Sequence, residues 1–150
     1  MGASACVFGQ LGSATSGTAD TPISFLSESL VKTGTHTSDD GIRGTRSEAS
    51  ERIRQGNYAV SGTLVCQPNY TELVDLLKWI GFSASGTTYS LTEALTPRDV
   101  TIDRVAKVFT YAGCYVNRAT LSSSEGQPLT VSLDVVGKTE SVGNSGTFPS

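Results

Sequence analysis

Two kinds of periodicity run along the chain. Residues 58–66 alternate with period two: Tyr58, Val60, Gly62, Leu64 and Cys66 fall on one face, and Ala59, Ser61, Thr63 and Val65 on the other. That is the signature of a strand, and Pro68 ends it. Leu129, Val131, Leu133 and Val135 alternate with Thr130, Ser132, Asp134 and Val136 in the clearest one-face-buried strand of the chain. Further strands are predicted over 23–31 after Pro22, over 87–91, over 100–108 and over 114–121. In the last of these Cys114, Val116, Arg118 and Thr120 share a face, with Tyr115, Asn117, Ala119 and Leu121 opposite. Glu125-Gly126-Gln127-Pro128 supplies the turn that follows.

The second period is helical and occurs once. Leu73, Leu76, Leu77 and Ile80 form an apolar stripe at spacings of three and four, widened by Val74 and Trp79. Asn69 followed by Glu72 makes a capping box at the start, and Gly81 is a C-cap. The spacing predicts a helix over 70–80 whose stripe lies on a sheet or at a subunit boundary.

These elements imply a mainly β protein: an antiparallel β-sandwich or partly closed barrel with one flanking α-helix and a long inter-strand loop. Residues 1–21, rich in Gly, Ala, Ser and Thr, read as a flexible arm, and 22–140 as the β domain. Within it, 33–55 reads as a long polar loop, too long for a hairpin turn and therefore expected to have a task of its own. Residues 141–150 read as a polar tail or the start of a continuation.

Composition narrows the picture. The chain has 150 residues, enough for one domain with a real core, and 20 Ser with 19 Thr make up about a quarter of it. Much of the surface is therefore neutral and polar, which suits solvated strand faces because Thr favours strands without needing burial. A net charge of -3 supplies no basic stripe for gripping nucleic acid. No apolar run approaches the roughly 20 residues of a membrane span, and Met1 to Phe8 lacks the layout of a signal peptide.

The chemistry-bearing residues form no constellation. Cys6, Cys66 and Cys114 are odd in number and widely spaced, and Cys66 and Cys114 read as small buried hydrophobes. His36 is the only histidine and lies in the polar loop. Gly137-Lys138-Thr139 resembles the end of a phosphate-binding loop, but Ser132 stands where the first glycine belongs and no amphipathic helix follows. Ser29 and Lys32, with Thr33 and Gly34, match fragments of an acyl-transferase signature that share one lysine where two are needed. Asp39 and Asp40 lack the spacing of a calcium loop. No catalytic, cofactor-binding or metal-ligating residue is assigned, and the protein is expected not to be an enzyme. Arg43, Arg46, Glu48, Glu51, Arg52 and Arg54 make a mixed-sign segment. It reads as an arm that orders against charges on a neighbouring subunit, or as a plain solvated loop; nucleic-acid binding is the weakest of the three readings, because acids interrupt the bases.

The order of these blocks resembles the bacteriophage tail tube proteins. Phe109-Thr110-Tyr111-Ala112-Gly113-Cys114-Tyr115-Val116-Asn117 matches their "tGCxVN" strand, Leu121-Ser122 the "lsl" that follows, and Leu133 to Lys138 the strand ending in "LVGK", with Val136 at the departing position. Phe25 to Leu30 resembles "FxSESL", Ile42 to Arg46 the loop, Val60 to Leu64 the second strand, and Leu73 to Ile80 the "LxxLL" helix. The resemblance spans 22–140; members are commonly longer, with more β-structure after the Gly-Lys strand. It implies a self-assembling structural subunit, joined through sheet edges into hexameric or quasi-hexameric rings. Rings stack into a conduit for the genome, and the long loop and N-terminal arm reach between them. Partners would be other copies, with sheath, tape-measure, baseplate and tail-terminator proteins. DNA would cross the lumen without specific binding, past lumen-facing Asp and Glu. The setting would be the virion tail, assembled in the host cytoplasm. A non-catalytic capsid or baseplate decoration module is the competing reading.

Overall fold

Period-two alternation in the sequence becomes a curled antiparallel sheet in the computed structural model, which describes residues 8–12, 19–37 and 54–144. In chain order the strands are β1 (Phe8–Gly12), β2 (Ala19–Ile23), β3 (Phe25–Glu28), β4 (Val31–Thr37) and β5 (Arg54–Cys66). Helix α1 (Tyr70–Ile80) follows, then β6 (Phe82–Ser85), β7 (Thr88–Leu91), β8 (Arg98–Asp103), β9 (Val108–Ser122), β10 (Thr130–Gly137) and β11 (Thr139–Gly143). The main sheet has the order β2-β1-β8-β9-β10-β5-β3, with β11 paired to β9 and β4 to β5; β6 and β7 form a separate hairpin. The architecture is the mainly β, half-closed barrel with a flanking helix that the patterning implies.

Strand β9 holds the two halves of the barrel together. Its first half, from Val108 to Cys114, lies between β8 and β11, and its second half, from Tyr115 to Ser122, pairs with β10. β10 and β11 run end to end along it. At their junction Lys138 keeps the ladder by donating its N–H to the Ala112 carbonyl at 3.0 Å. β3 and β4 likewise run end to end along β5.

The core lies where the buried strand faces meet. Val60, Leu64 and Cys66 of β5, Val131, Leu133 and Val135 of β10, and Val100 and Ile102 of β8 are all buried, with Tyr111, Cys114 and Leu30. The helix covers one side of it. Asn69 Oδ1 accepts the Glu72 N–H at 2.9 Å while Glu72 Oε2 accepts the Asn69 N–H at 3.0 Å, the capping box read from the sequence. Ser24 Oγ donates to the other Glu72 oxygen at 3.0 Å, so the buried carboxylate is satisfied by strand and helix together. Gly81 closes the helix in the left-handed conformation (φ 116°), where a side chain is strained. Trp79 is buried and donates its Nε1–H to the Cys114 carbonyl at 3.0 Å.

Several elements differ from the expectation. Within the segment read as a flexible arm, β1 and β2 pair with each other, and β1 pairs with β8. Backbone ladders hold them there, and a short strand with little apolar content gives no periodic signal. The same holds for β11, whose Thr, Glu and Ser pair along β9 past the point where alternation stops. The strand expected over 100–108 breaks at a tight turn between Asp103 and Val108, and the one expected over 23–31 kinks at Ser24 and again at Ser29-Leu30. Residues 33–37 and 54–55, read as loop, continue β4 and β5. In β9 the pairing slips between Val116↔Val135 and Arg118↔Asp134, leaving Asn117 as an extra residue. The faces therefore exchange there: Cys114 and Val116 point inward, but so does Ala119, not Arg118.

Candidate assembly surface

The site is built around the kink between β3 and β4. Arg104, in the turn after β8, forms a bidentate pair with Glu28: Nε to Oε1 and Nη2 to Oε2, both 2.8 Å. Nη2 also donates to the Leu30 carbonyl at 2.7 Å, and the Tyr111 hydroxyl donates to the same carbonyl at 2.9 Å. Glu28 Oε2 in turn accepts the Leu30 N–H at 2.9 Å. The guanidinium lies 4.4 Å over the Phe109 ring. The arrangement clasps the β8–β9 turn to the β3–β4 kink. Gly62 makes the kink possible: a Cβ there would fall 2.5 Å from the Ser29 carbonyl oxygen and 2.6 Å from the Leu30 backbone. Burial pushes the Tyr111 hydroxyl up to about 12; Arg104 pulls against that shift and Glu140 adds to it.

From the clasp the β4–β5 ribbon continues past the last β10 partner, Gly137↔Val60. Val31, Thr33, Thr35 and His36 on one strand and Asn57, Tyr58 and Ala59 on the other are exposed, so the ribbon has no buried face of its own. Lys32 Nζ sits 4.4 Å over the Tyr58 ring and stiffens it. A lone two-stranded ribbon is marginally stable in water, which makes this projection from the sheet a candidate surface for contact with a partner. Its strands are still paired at Thr37↔Arg54. Of the proposed loop residues, Arg43, Arg46, Glu48, Glu51 and Arg52 lie outside the described residues, and Arg54 opens β5.

Sheet edges are the second component. Among the described residues, β4, β11 and the second half of β9 each pair along one edge only. The solvent face formed by β5, β10 and β9 carries Ser61, Thr63, Ser132, Thr130 and Thr120, with Asp134 and Arg118 opposite one another. Thr63 Oγ1 donates to Asp134 at 3.0 Å. This face is hydroxyl-rich and close to neutral. The helix residues divide: Leu76 is buried, while Leu73, Leu77 and Ile80 are half-buried. Glu72 and Trp79 complete the inward face, so it is centred one position away from the stripe read by spacing alone.

Neither thiol among the described residues is a nucleophile: burial pushes Cys66 and Cys114 each up to about 12. Gly137-Lys138-Thr139 is a strand junction, where a Cβ on Gly137 would meet Cys114 Sγ and Val60 Cγ1 at 3.0 Å. No helix among the described residues is long and apolar enough to cross a membrane.

The overall fold is shared with known proteins. The profile of the family described as phage tail tube protein matches residues 5–150. The chain belongs to this family. It is therefore a structural subunit of the phage tail tube class. Comparison with curated protein sequences finds no match. Solved structures share the fold at low identity. The SPP1 tail tube superposes with a TM-score of 0.59 at 12% identity, over 94% of this chain and 78% of that one. The sheath–tube complex of an extracellular contractile injection system, PVC, in its extended state, gives 0.56 at 15% identity, over 92% and 88%. A chain of the native gene transfer agent virion gives 0.54 at 5% identity, over 92% and 95%. This tail tube family member is thus comparable in length to the chains it resembles. The ribbon and the Glu28–Arg104 clasp were the parts that sequence reasoning missed: Glu28 was visible inside "FxSESL", but nothing in the pattern pointed to Arg104, 76 positions away.

Proposed function

We propose that the chain is the repeating, non-catalytic subunit of a phage tail tube, assembling into stacked rings, hexameric by analogy with the family, that carry the genome into the host. The observation that carries this reading is the β4–β5 ribbon, exposed on both strands and rooted beside a part-buried ion-pair clasp, in a chain that belongs to the tail tube family. Sheet edges open on β9 and β11 join copies within a ring by backbone pairing. The ribbon and the segment at its tip reach the next ring. A heterologous contact of this kind closes around the ring and stays open along the axis. The burial of both described thiols favours a structural role over a catalytic one. The hydroxyl-rich face between β5 and β9 suits a lumen that DNA passes without being held. By analogy with the sheath–tube and sheath/tube terminator assemblies among the structural neighbours, sheath and terminator proteins are proposed as further partners, with tape-measure and baseplate proteins; the setting is the virion tail, assembled in the host cytoplasm.

The test exploits the pairing at Thr37↔Arg54. Replacing residues 38–53 by Asn-Gly closes the ribbon with a two-residue turn. The shortened protein is expected to keep its circular-dichroism spectrum and form rings or short oligomers, but no long tubes in negative-stain micrographs. Long tubes from the shortened protein would refute the role of this segment in stacking. A discrete trimer from the full chain would favour the decoration-module reading.

A further inference from the structure

The β8–β9 turn holds an unusual residue. Val105 has φ 66°, the one positive φ outside glycine among the described residues, and its side chain is 69% exposed. A β-branched residue in this region is strained, because its Cβ crowds the carbonyl. The strain is held by a tight γ-turn: the Ala106 N–H donates to the Arg104 carbonyl at 2.7 Å, and the Arg104 N–H to the Lys107 carbonyl at 3.0 Å. Asp103 Oδ1 accepts the Val105 N–H at 2.7 Å, and the Arg104 side chain is fixed in the clasp on Glu28 and Leu30. A turn this firmly tied presents one apolar side chain to solvent at a fixed place. Strain maintained by its surroundings points to a function for the residue it displays.

An open recess lies at the other end of the same strand. Pro97, Gly113, Tyr115, Val136, Gly137 and Lys138 line an open depression of about 440 Å³, where Tyr115 and Val136 are 43% and 46% exposed. Pro97 precedes the first residue of β8 and Val105 follows the last closely, so knob and recess stand about 20 Å apart at 3.3 Å per residue. They therefore cannot meet within one molecule. The knob is flanked by Asp103 and Lys107; Lys138 lines the recess, and Asp99 is hydrogen-bonded to its lining residue Gly113, Oδ1 accepting the Gly113 N–H at 2.9 Å. None of these four charges is in an ion pair among the described residues. Each end thus offers one acid and one base to the other.

We infer that Val105 of one copy seats in the Pro97–Tyr115–Val136 recess of the next, with Asp103 facing Lys138, joining copies head to tail. Knob and recess at opposite ends of one strand make a heterologous contact, which propagates into a ring or a stack and does not stop at a dimer. The inference rests on the tube-forming reading above and adds to it one further contact between copies.

The experiment uses the full chain with Cys6→Ser, which leaves the buried Cys66 and Cys114 as the remaining thiols. Val105→Cys and Val136→Cys variants are purified separately, mixed under assembly conditions and oxidised. A disulfide-linked dimer containing one of each variant is expected, with neither variant cross-linking to itself. Val105→Asp is expected to raise the concentration needed for assembly by about tenfold or more, as loss of a central anchor does. Val105→Gly separates assembly from folding. It removes the strain, so its monomer is expected to melt at a higher temperature than wild type while assembling less readily. Tubes from Val105→Asp at the wild-type concentration, or assembled tubes without the mixed cross-link, would overturn this contact and leave the tube-forming reading standing. A wild-type chain that never assembles would overturn both.

Discussion

Glu28→Ala removes one side of the clasp between the β8–β9 turn and the β3–β4 kink. Its carboxylate is nearly buried, at 5% exposure, and receives two guanidinium hydrogen bonds of 2.8 Å and the Leu30 N–H at 2.9 Å. Breaking a buried pair by deleting one partner costs about 3–5 kcal/mol, because the remaining charge is stranded. Arg104 keeps 25% exposure and its bond to the Leu30 carbonyl, so water and that carbonyl recover part of the loss. A destabilisation of about 2–3 kcal/mol is expected, the lower part of the range set by charged hydrogen bonds and buried pairs. For a chain of this length that lowers the melting temperature by about 5–10 °C. The assay is thermal unfolding of dilute, unassembled protein followed by circular dichroism, for Glu28→Ala, Arg104→Ala and the double variant. The double variant is expected to lose less than the sum of the singles, by at least about 1 kcal/mol, since the two groups touch. A Glu28→Ala melting point equal to wild type, or strictly additive losses, would refute the claim that this pair fastens the β8–β9 turn to the β3–β4 kink.

Other outcomes follow from the same geometry. Gly62→Ala drives a Cβ into the Ser29 and Leu30 backbone, which has no flexible end to yield, and is expected to cost about 3 kcal/mol in chemical unfolding. Asn69→Ala removes the capping acceptor of α1 and is expected to cost about 1 kcal/mol, measured the same way, with Asn69→Gly nearer wild type. Alkaline stability tests the buried thiols: Cys66 and Cys114 hold their protons to about pH 12 when folded but release them near 9 when unfolded. The native state then binds more protons than the unfolded one, so stability is level below pH 9 and falls as pH rises from 9 towards 12. The slope approaches about 1.4 kcal/mol per pH unit for each thiol, and Cys66→Ala with Cys114→Ala should lessen it, leaving above about pH 10 the share of Tyr111, whose hydroxyl is likewise pushed up to about 12; an unchanged slope would contradict the assignment.

What could be read from the sequence was what burial imposes. β5 and β10 bury one face each, so Val60, Leu64, Val131 and Leu133 wrote their alternation into the chain, and α1 announced itself through Asn69, Glu72 and Gly81. Elements held by backbone ladders left no such trace: β1, β2 and β11 pair along their neighbours with few apolar residues. Parity failed at Asn117 because one extra residue in β9 exchanges the faces, and a bulge of that kind has no signature in the side chains around it. The candidate assembly surface was harder still. Its mixed-sign segment was visible as composition, but the Glu28–Arg104 clasp and the Val105 turn depend on contacts between distant residues and on a backbone angle, neither of which periodicity records.

Electron microscopy of the concentrated full chain, read beside sedimentation of the same sample, tests the central claim most directly. The expected result is a hollow tube of uniform diameter with a regular axial repeat of stacked rings. A protein that sediments as a monomer at every concentration, with no rings or tubes on the grid, would contradict it.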